Sequence, residues 1–123
     1  MTTTLWSQQL SQFSGTEHYY RIMPTVLMTD GAKFVADNGE AYWLMTAIAS
    51  YLPQFKNTEP FIVADLQVTN TGNSRTALLK LEDGNENILV EQHIAYTDFA
   101  LDEMKLYACH TGNMWVIMLP REY

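Results

Sequence analysis

Ile62-Val63-Ala64-Asp65-Leu66-Gln67-Val68-Thr69 sets apolar Ile62, Ala64, Leu66 and Val68 against interleaved Asp65, Gln67 and Thr69. Successive side chains of an extended chain point to opposite faces, so this period of two predicts a half-buried β-strand. The same rhythm continues downstream. A turn at Asn70-Thr71-Gly72-Asn73 leads to Ala77, Leu79 and Leu81, alternating with Lys80 and Glu82. Asp83-Gly84-Asn85 is a hairpin signal, because Asp-Gly accepts the positive φ of tight reversals. Ile88, Val90 and Ile94 then alternate with Leu89, Glu91 and His93. After a corner at Leu101 to Glu103, Met104, Leu106 and Ala108 predict a fourth strand. Thr111-Gly112-Asn113 turns it into a fifth, Met114 to Leu119, which Pro120 ends.

Upstream of this sheet the period becomes helical. Glu40 to Leu52 carries Ala41, Tyr42, Trp43, Leu44, Met45, Ala47, Ile48, Ala49 and Leu52, apolar nearly all round, and predicts a central buried helix that Pro53 stops. Thr29-Asp30-Gly31 supplies an N-cap for a short helix over Ala32 to Asp37, closed by Asn38-Gly39. Leu5 to Phe13 predicts another short helix, with Leu5, Trp6, Leu10 and Phe13 near one stripe. Between them, Glu17 to Ile22 is rich in aromatics and predicts a strand, broken by Pro24. The expected fold class is therefore α+β: an antiparallel sheet of four to five strands in the C-terminal half, packed against two to three N-terminal helices.

Met114-Trp115-Val116-Ile117-Met118-Leu119 has no polar face, yet a simple meander would leave it at the sheet edge. An apolar edge strand invites aggregation. Three arrangements protect it: the N-terminal strand near Tyr19 pairs beside it, a helix covers its outer face, or a second subunit does.

The 123 residues suit one domain, 1–123, with one core. A hydrophobic fraction of 47% against 17% charged residues fits a globular chain rather than a disordered one. There is no basic stretch followed by an apolar run at the N-terminus, and the longest apolar run is far short of the ~20 residues that cross a bilayer. A cytoplasmic location and no membrane contact are expected. The net charge of −7, with Arg21, Lys33, Lys56, Arg75, Lys80, Lys105 and Arg121 scattered, opposes nucleic-acid binding, which rests on clustered cations releasing counterions.

Catalytic constellations are missing from the text of the chain. It holds no Gly-rich phosphate loop, no His-Glu-x-x-His, no nucleophile elbow and no EF-hand spacing, and His18, His93 and His110 lack ligand spacing. Cys109, the one cysteine, excludes an internal disulfide and reads as a small buried hydrophobe. On a strand Cys109 and His110 face opposite ways, so they cannot form a dyad. No catalytic, cofactor-binding or metal-binding residue is assigned, and no cofactor is expected. The cluster Glu17-His18-Tyr19-Tyr20-Arg21 sets aromatics beside arginine, the composition of interface hot spots. Tyr19 and Arg21, with Trp115 and Ile117 of the last strand, are the candidate partner surface.

Six segments carry a resemblance: Phe13-Ser14-Gly15-Thr16-Glu17-His18-Tyr19-Tyr20-Arg21, Thr29-Asp30-Gly31-Ala32-Lys33-Phe34, Ala41-Tyr42-Trp43-Leu44, Ala47-Ile48-Ala49-Ser50, Tyr96-Thr97-Asp98-Phe99 and Leu101-Asp102-Glu103-Met104-Lys105-Leu106-Tyr107. Together with the terminal Leu119-Pro120-Arg121-Glu122-Tyr123, the chain resembles a family of small uncharacterised bacterial proteins, a domain of unknown function. The resemblance implies one bacterial or mobile-element-encoded domain and carries no catalytic residue across. The leading functional expectation is a non-catalytic protein-binding or accessory module, monomeric or homodimeric. The alternatives are an enzyme with an unrecorded active site and a small-ligand binder in a cleft between sheet and helices.

Overall fold

The structure, a computed structural model, describes residues 16–99 and 101–123. Seven strands form one sheet: β1 (Tyr20–Met23), β2 (Val26–Met28), β3 (Phe61–Thr71), β4 (Ser74–Glu82), β5 (Ile88–Ile94), β6 (Glu103–Thr111) and β7 (Met114–Met118), in the spatial order β1-β2-β7-β6-β3-β4-β5. Among the described residues two helices precede β3, α1 (Asp30–Asn38) and α2 (Tyr42–Tyr51), and a 3₁₀ turn, Leu52–Phe55, extends α2. The α+β class holds, but the sheet is larger than the alternation predicts. Pro24 ends the strand, as its sequence position predicts, but with Thr25 it only turns the chain from β1 into β2, and both short strands join the sheet. The sheet is also mixed rather than antiparallel, since β2 runs parallel to β7 with Val26 opposite Trp115 and Met28 opposite Ile117. The helix expected over Leu5 to Phe13 lies outside the described residues.

The predicted alternation is the burial pattern of the central strands. Ile62, Ala64 and Leu66 of β3, Ala77, Leu79 and Leu81 of β4, and Met104, Leu106 and Ala108 of β6 are buried on one face. Against that face lie Ala32, Val35 and Ala36 of α1 and Leu44, Met45, Ile48 and Ala49 of α2. Two-residue turns at Gly72-Asn73 and Gly112-Asn113 close two hairpins, each with its glycine at positive φ, +62° and +61°. A glycine at the first central position reaches that conformation without the strain a Cβ brings. On the opposite face Phe61, Tyr107 and Tyr123 form an aromatic trio with centroids 4.9 to 5.6 Å apart.

The apolar final strand is interior, between β2 and β6, so the edge never arises. Two of the three protective arrangements are found: the N-terminal segment pairs beside it, through β2 rather than through the residues next to Tyr19, and the helices cover the face that carries Trp115 and Ile117. Glu40, expected in the first turn of α2, instead sits before it at φ +51°. Trp43 is half-buried at the core margin, while Leu44 and Ile48 are fully enclosed.

Two networks tie distant segments. The Glu122 carboxylate sits at the start of α1. Its Oε1 accepts from Thr29 Oγ1 at 2.6 Å and from Leu119 N at 2.8 Å, and its Oε2 accepts from Gly31 N at 3.0 Å. Negative charge is favoured there because the first helical N–H groups are otherwise unpartnered. Asp30 accepts from Glu17 N at 2.9 Å and Tyr20 Oη at 3.1 Å, and its own N–H donates to Thr16 Oγ1 at 2.9 Å. At the far side, Arg75 donates to the carbonyls of Phe99 and Leu101 at 2.8 and 3.1 Å, fixing the crossing from β5 to β6.

Candidate functional site

Three connections converge at one end of the sheet. The β1–β2 turn brings Thr25, the segment after α2 brings Pro53, Lys56 and Asn57, and the β6–β7 hairpin brings His110, Gly112, Asn113 and Trp115. Between them lies a cavity of about 490 Å³. Backbone bonds hold each wall in place: Trp115 N donates to Thr25 O at 2.8 Å, and His110 N donates to Pro60 O at 2.8 Å. Local chemistry explains the bends. Pro53 cannot supply an N–H to continue α2 and tightens the chain into the 3₁₀ turn, after which Glu59 N returns to Phe55 O at 2.8 Å. Gly112 at φ +61° reverses β6 into β7.

His110 and Trp115 are register partners across that hairpin, so both side chains emerge on the helix-facing side of the sheet. Their ring centroids are 4.9 Å apart and tilted 46°. Trp115 is 1% exposed, and its Nε1–H is buried without a hydrogen-bond partner, the single such side-chain atom among the described residues. A buried donor left unmade costs about 1–3 kcal/mol, and a native structure that tolerates one calls for an explanation. The same residue is among those that line the cavity.

The residues singled out from sequence scatter. Tyr19 is 56% exposed just ahead of β1, and Arg21 is exposed on that edge strand, its guanidinium donating to the carbonyl of Pro24 in its own turn. Trp115 and Ile117 face the helices, and Ile117 is wholly buried; they share no surface with Tyr19 and Arg21. The three histidines do not converge. His18 lies 3.9 Å from Asp30 ahead of β1, His93 is exposed on β5 at the opposite edge, and His110 lines the cavity. Cys109 pairs with Val116 on the other face of the sheet from His110, as strand geometry requires. Burial pushes its thiol pKa up, which disfavours the thiolate a nucleophile needs. No group of three His, Cys, Asp or Glu side chains among the described residues is placed to hold a metal ion. No helix among them is long and apolar enough to cross a membrane.

Sequence reasoning missed Lys56, Asn57 and Asn113, which read as loop residues. One signal was available: a tryptophan within an all-apolar strand still carries a donor that needs an acceptor. What the sequence withholds is that three separate turns meet at a cavity that Trp115 helps to line.

The lining is rich in hydrogen-bonding groups. Its described side chains include the Lys56 ammonium, a donor, and the Thr25 hydroxyl, the His110 imidazole and the Asn57 and Asn113 amides, which both donate and accept; Asp and Glu are not among them. No curated protein and no solved structure matches the chain. Residues 4–123 match the model of the Family of unknown function (DUF6876), and the chain belongs to that family.

Proposed function

We propose that this chain is a non-catalytic small-ligand-binding module and that the cavity between the β6–β7 hairpin and the end of α2 is its binding site. The observations that support the reading are the cavity itself, which Trp115 helps to line, and the Nε1–H of the same residue, buried without a hydrogen-bond partner. Ligand sites are concave, a few hundred Å³ or more in volume, with apolar and aromatic walls and a few placed polar groups. Here Trp115, His110 and Pro53 supply the walls and Lys56, Asn57 and Asn113 the polar rim.

The chain contains three tryptophans, Trp6, Trp43 and Trp115, so an ¹⁵N-labelled sample gives three indole N–H resonances. Screening a fragment library against that spectrum tests the reading. Binding fragments are expected to move the Trp115 resonance, which disappears in Trp115→Phe. Fragments that bind yet leave Trp115 and His110 unmoved would place the site elsewhere and defeat the reading.

A partner-binding role at the β1 edge is the second reading, supported by the exposure of Tyr19 beside Arg21. It predicts that a protein partner is lost in Tyr19→Ala and retained in Trp115→Phe.

A further inference from the structure

Independently of the cavity, we propose that this chain pairs with a second copy of itself along the free edge of β5, in one antiparallel register centred on Gln92. The sheet ends in β1 on one side and β5 on the other, and the two edges are built differently. β1 carries the devices that blunt an edge. It is four residues long, its register shifts between Arg21 and Met23, Arg21 stands exposed on it, and Pro24 follows. β5 is seven residues long and holds neither proline nor lysine, and its register with β4 shifts only near its start, beside Leu81 and Glu82. From Val90 to Ile94 it pairs with β4 without interruption, and no described strand lies on its other side. Such an edge offers a row of unpaired N–H and C=O groups to another strand.

Register decides what that strand is. Val90, Gln92 and Ile94 stand opposite Leu81, Leu79 and Ala77, which are buried against the helices. Those three residues therefore share the helix side of the sheet, and Glu91 and His93 take the other. Two copies of β5 related by a two-fold axis normal to the sheet keep their helices on one side, and residues directly opposite must share a face. The axis then passes through a residue rather than between two. Centred on Glu91, it sets Glu91 against itself; centred on Val90 or His93, it sets Glu91 against Leu89 or Ala95. Centred on Gln92, it sets Glu91 against His93 and Val90 against Ile94, each pair twice. Opposite charges and apolar partners directly across a ladder stabilise it, like charges do not, and an imidazole donates an N–H to a carboxylate whether or not it is protonated. Glu91 and His93 are both exposed. The same register brings Ile88 of each copy, 51% exposed, toward Tyr96 of the other, 71% exposed, and so covers two of the large apolar side chains left open among the described residues.

Sedimentation velocity on the pure chain, from about 5 µM to about 0.5 mM, is expected to show a reversible monomer–dimer equilibrium, weak because so short a ladder buries less than a standard interface. His93→Glu sets carboxylates face to face at both ends of the ladder and should weaken the dimer about fivefold or more, with the fold checked by circular dichroism. Exchanging the pair, Glu91→His with His93→Glu, should restore it, because this register joins position 91 to position 93. Cysteine substitution reads the register directly, in a Cys109→Ala background that removes the one native thiol. Gln92→Cys should oxidise to a linked dimer, since Cβ atoms directly opposite lie about 4.5–5.5 Å apart, whereas the two copies of Glu91→Cys lie diagonally apart and should not link. A chain that stays monomeric to about 0.5 mM would overturn the proposal and leave the β5 edge to an extended segment of a different protein. A dimer indifferent to His93→Glu, or one that links through Glu91→Cys and not Gln92→Cys, would overturn it too, by moving the contact to another face or register.

Discussion

The two ends of β7 treat buried polar groups in opposite ways. Past its C-terminal end, the Glu122 carboxylate answers three donors from Thr29, Gly31 and Leu119, and Asp30 next door is saturated in the same manner. At its N-terminal end, Trp115 keeps a donor with no partner beside a cavity. Satisfied polar networks fix one arrangement of the chain, and half-satisfied ones destabilise it unless something else binds. The first region is structural, and the second is the one we propose to be functional. The contrast also explains the quoted sequence segments: Thr16 to Tyr20, Thr29-Asp30-Gly31 and Leu119 to Tyr123 are remote in sequence and meet around the start of α1.

The sharpest way to break this comparison is Glu122→Ala. It leaves three donors facing a void, one of them the buried Thr29 hydroxyl, and should cost about 2–4 kcal/mol, since hydrogen bonds to a charged group are each worth ~1.5–3 kcal/mol and are not additive. Urea melts measure it, and a loss below ~0.5 kcal/mol would show that the terminal carboxylate is ornamental.

Gly31→Ala follows. A Cβ built there would come within 2.5 Å of Glu122 Oε1 and 2.6 Å of Leu119 Cδ1, too close without displacement. Overpacking of this kind costs about 1–3 kcal/mol. In the Glu122→Ala background the penalty should shrink, because one obstructing group has gone; a double-mutant cycle measures that coupling.

Trp115→Phe should cost less than either, under about 1.5 kcal/mol, despite enlarging a core void, because the donor it removes was already unpaired. Thermal melts compare it with Ile117→Ala, a fully buried neighbour two residues along the strand, which should lose about 2–5 kcal/mol. Equal losses would mean that the indole N–H has a structural partner after all.

The mildest effect is acid sensitivity. Hydrogen bonding from the Glu17 N–H foremost holds the Asp30 carboxyl below its usual range, and the bond from Lys33, 2.7 Å away, does the same for Asp37. Their folded pKa values lie below the unfolded value of about 3.9, so the stability they contribute is present above that pH and disappears as pH falls through the folded values. Stability should therefore decline below about pH 4, and Asp30→Asn should flatten part of that decline while lowering stability at neutral pH. Chemical denaturation across a pH series reads out both.

The alternation in β3, β4 and β6 and the Gly-Asn turns were legible because each is a local consequence of residue type. So was α2, although its nearly uniform apolar surface hid that Trp43 lies at the margin while Leu44 and Ile48 do not. β2 was not legible: Val26-Leu27-Met28 is too short to show a period, and its partner is at the other end of the chain. Neither was the Glu122 tie to Gly31, since nothing near Glu122 in sequence says which helix it caps. The cavity suffered the same fate. Its lining comes from three turns whose residues read as loops, and convergence in space leaves no mark on spacing.

The parallel union of β2 with β7 has a consequence for the order of assembly. Val26 meets Trp115 only after the chain has emerged through β7, so during synthesis β1, β2, α1 and α2 lack the strand on which they settle. The β3–β4–β5 meander and its return through β6 can form from contacts close in sequence, whereas the N-terminal elements must wait for the longest loop in the fold to close. Until then Val26 and Met28 of β2 lack the strand beside which they are buried, and that interval is when this chain is most open to capture by a chaperone or by another copy of itself.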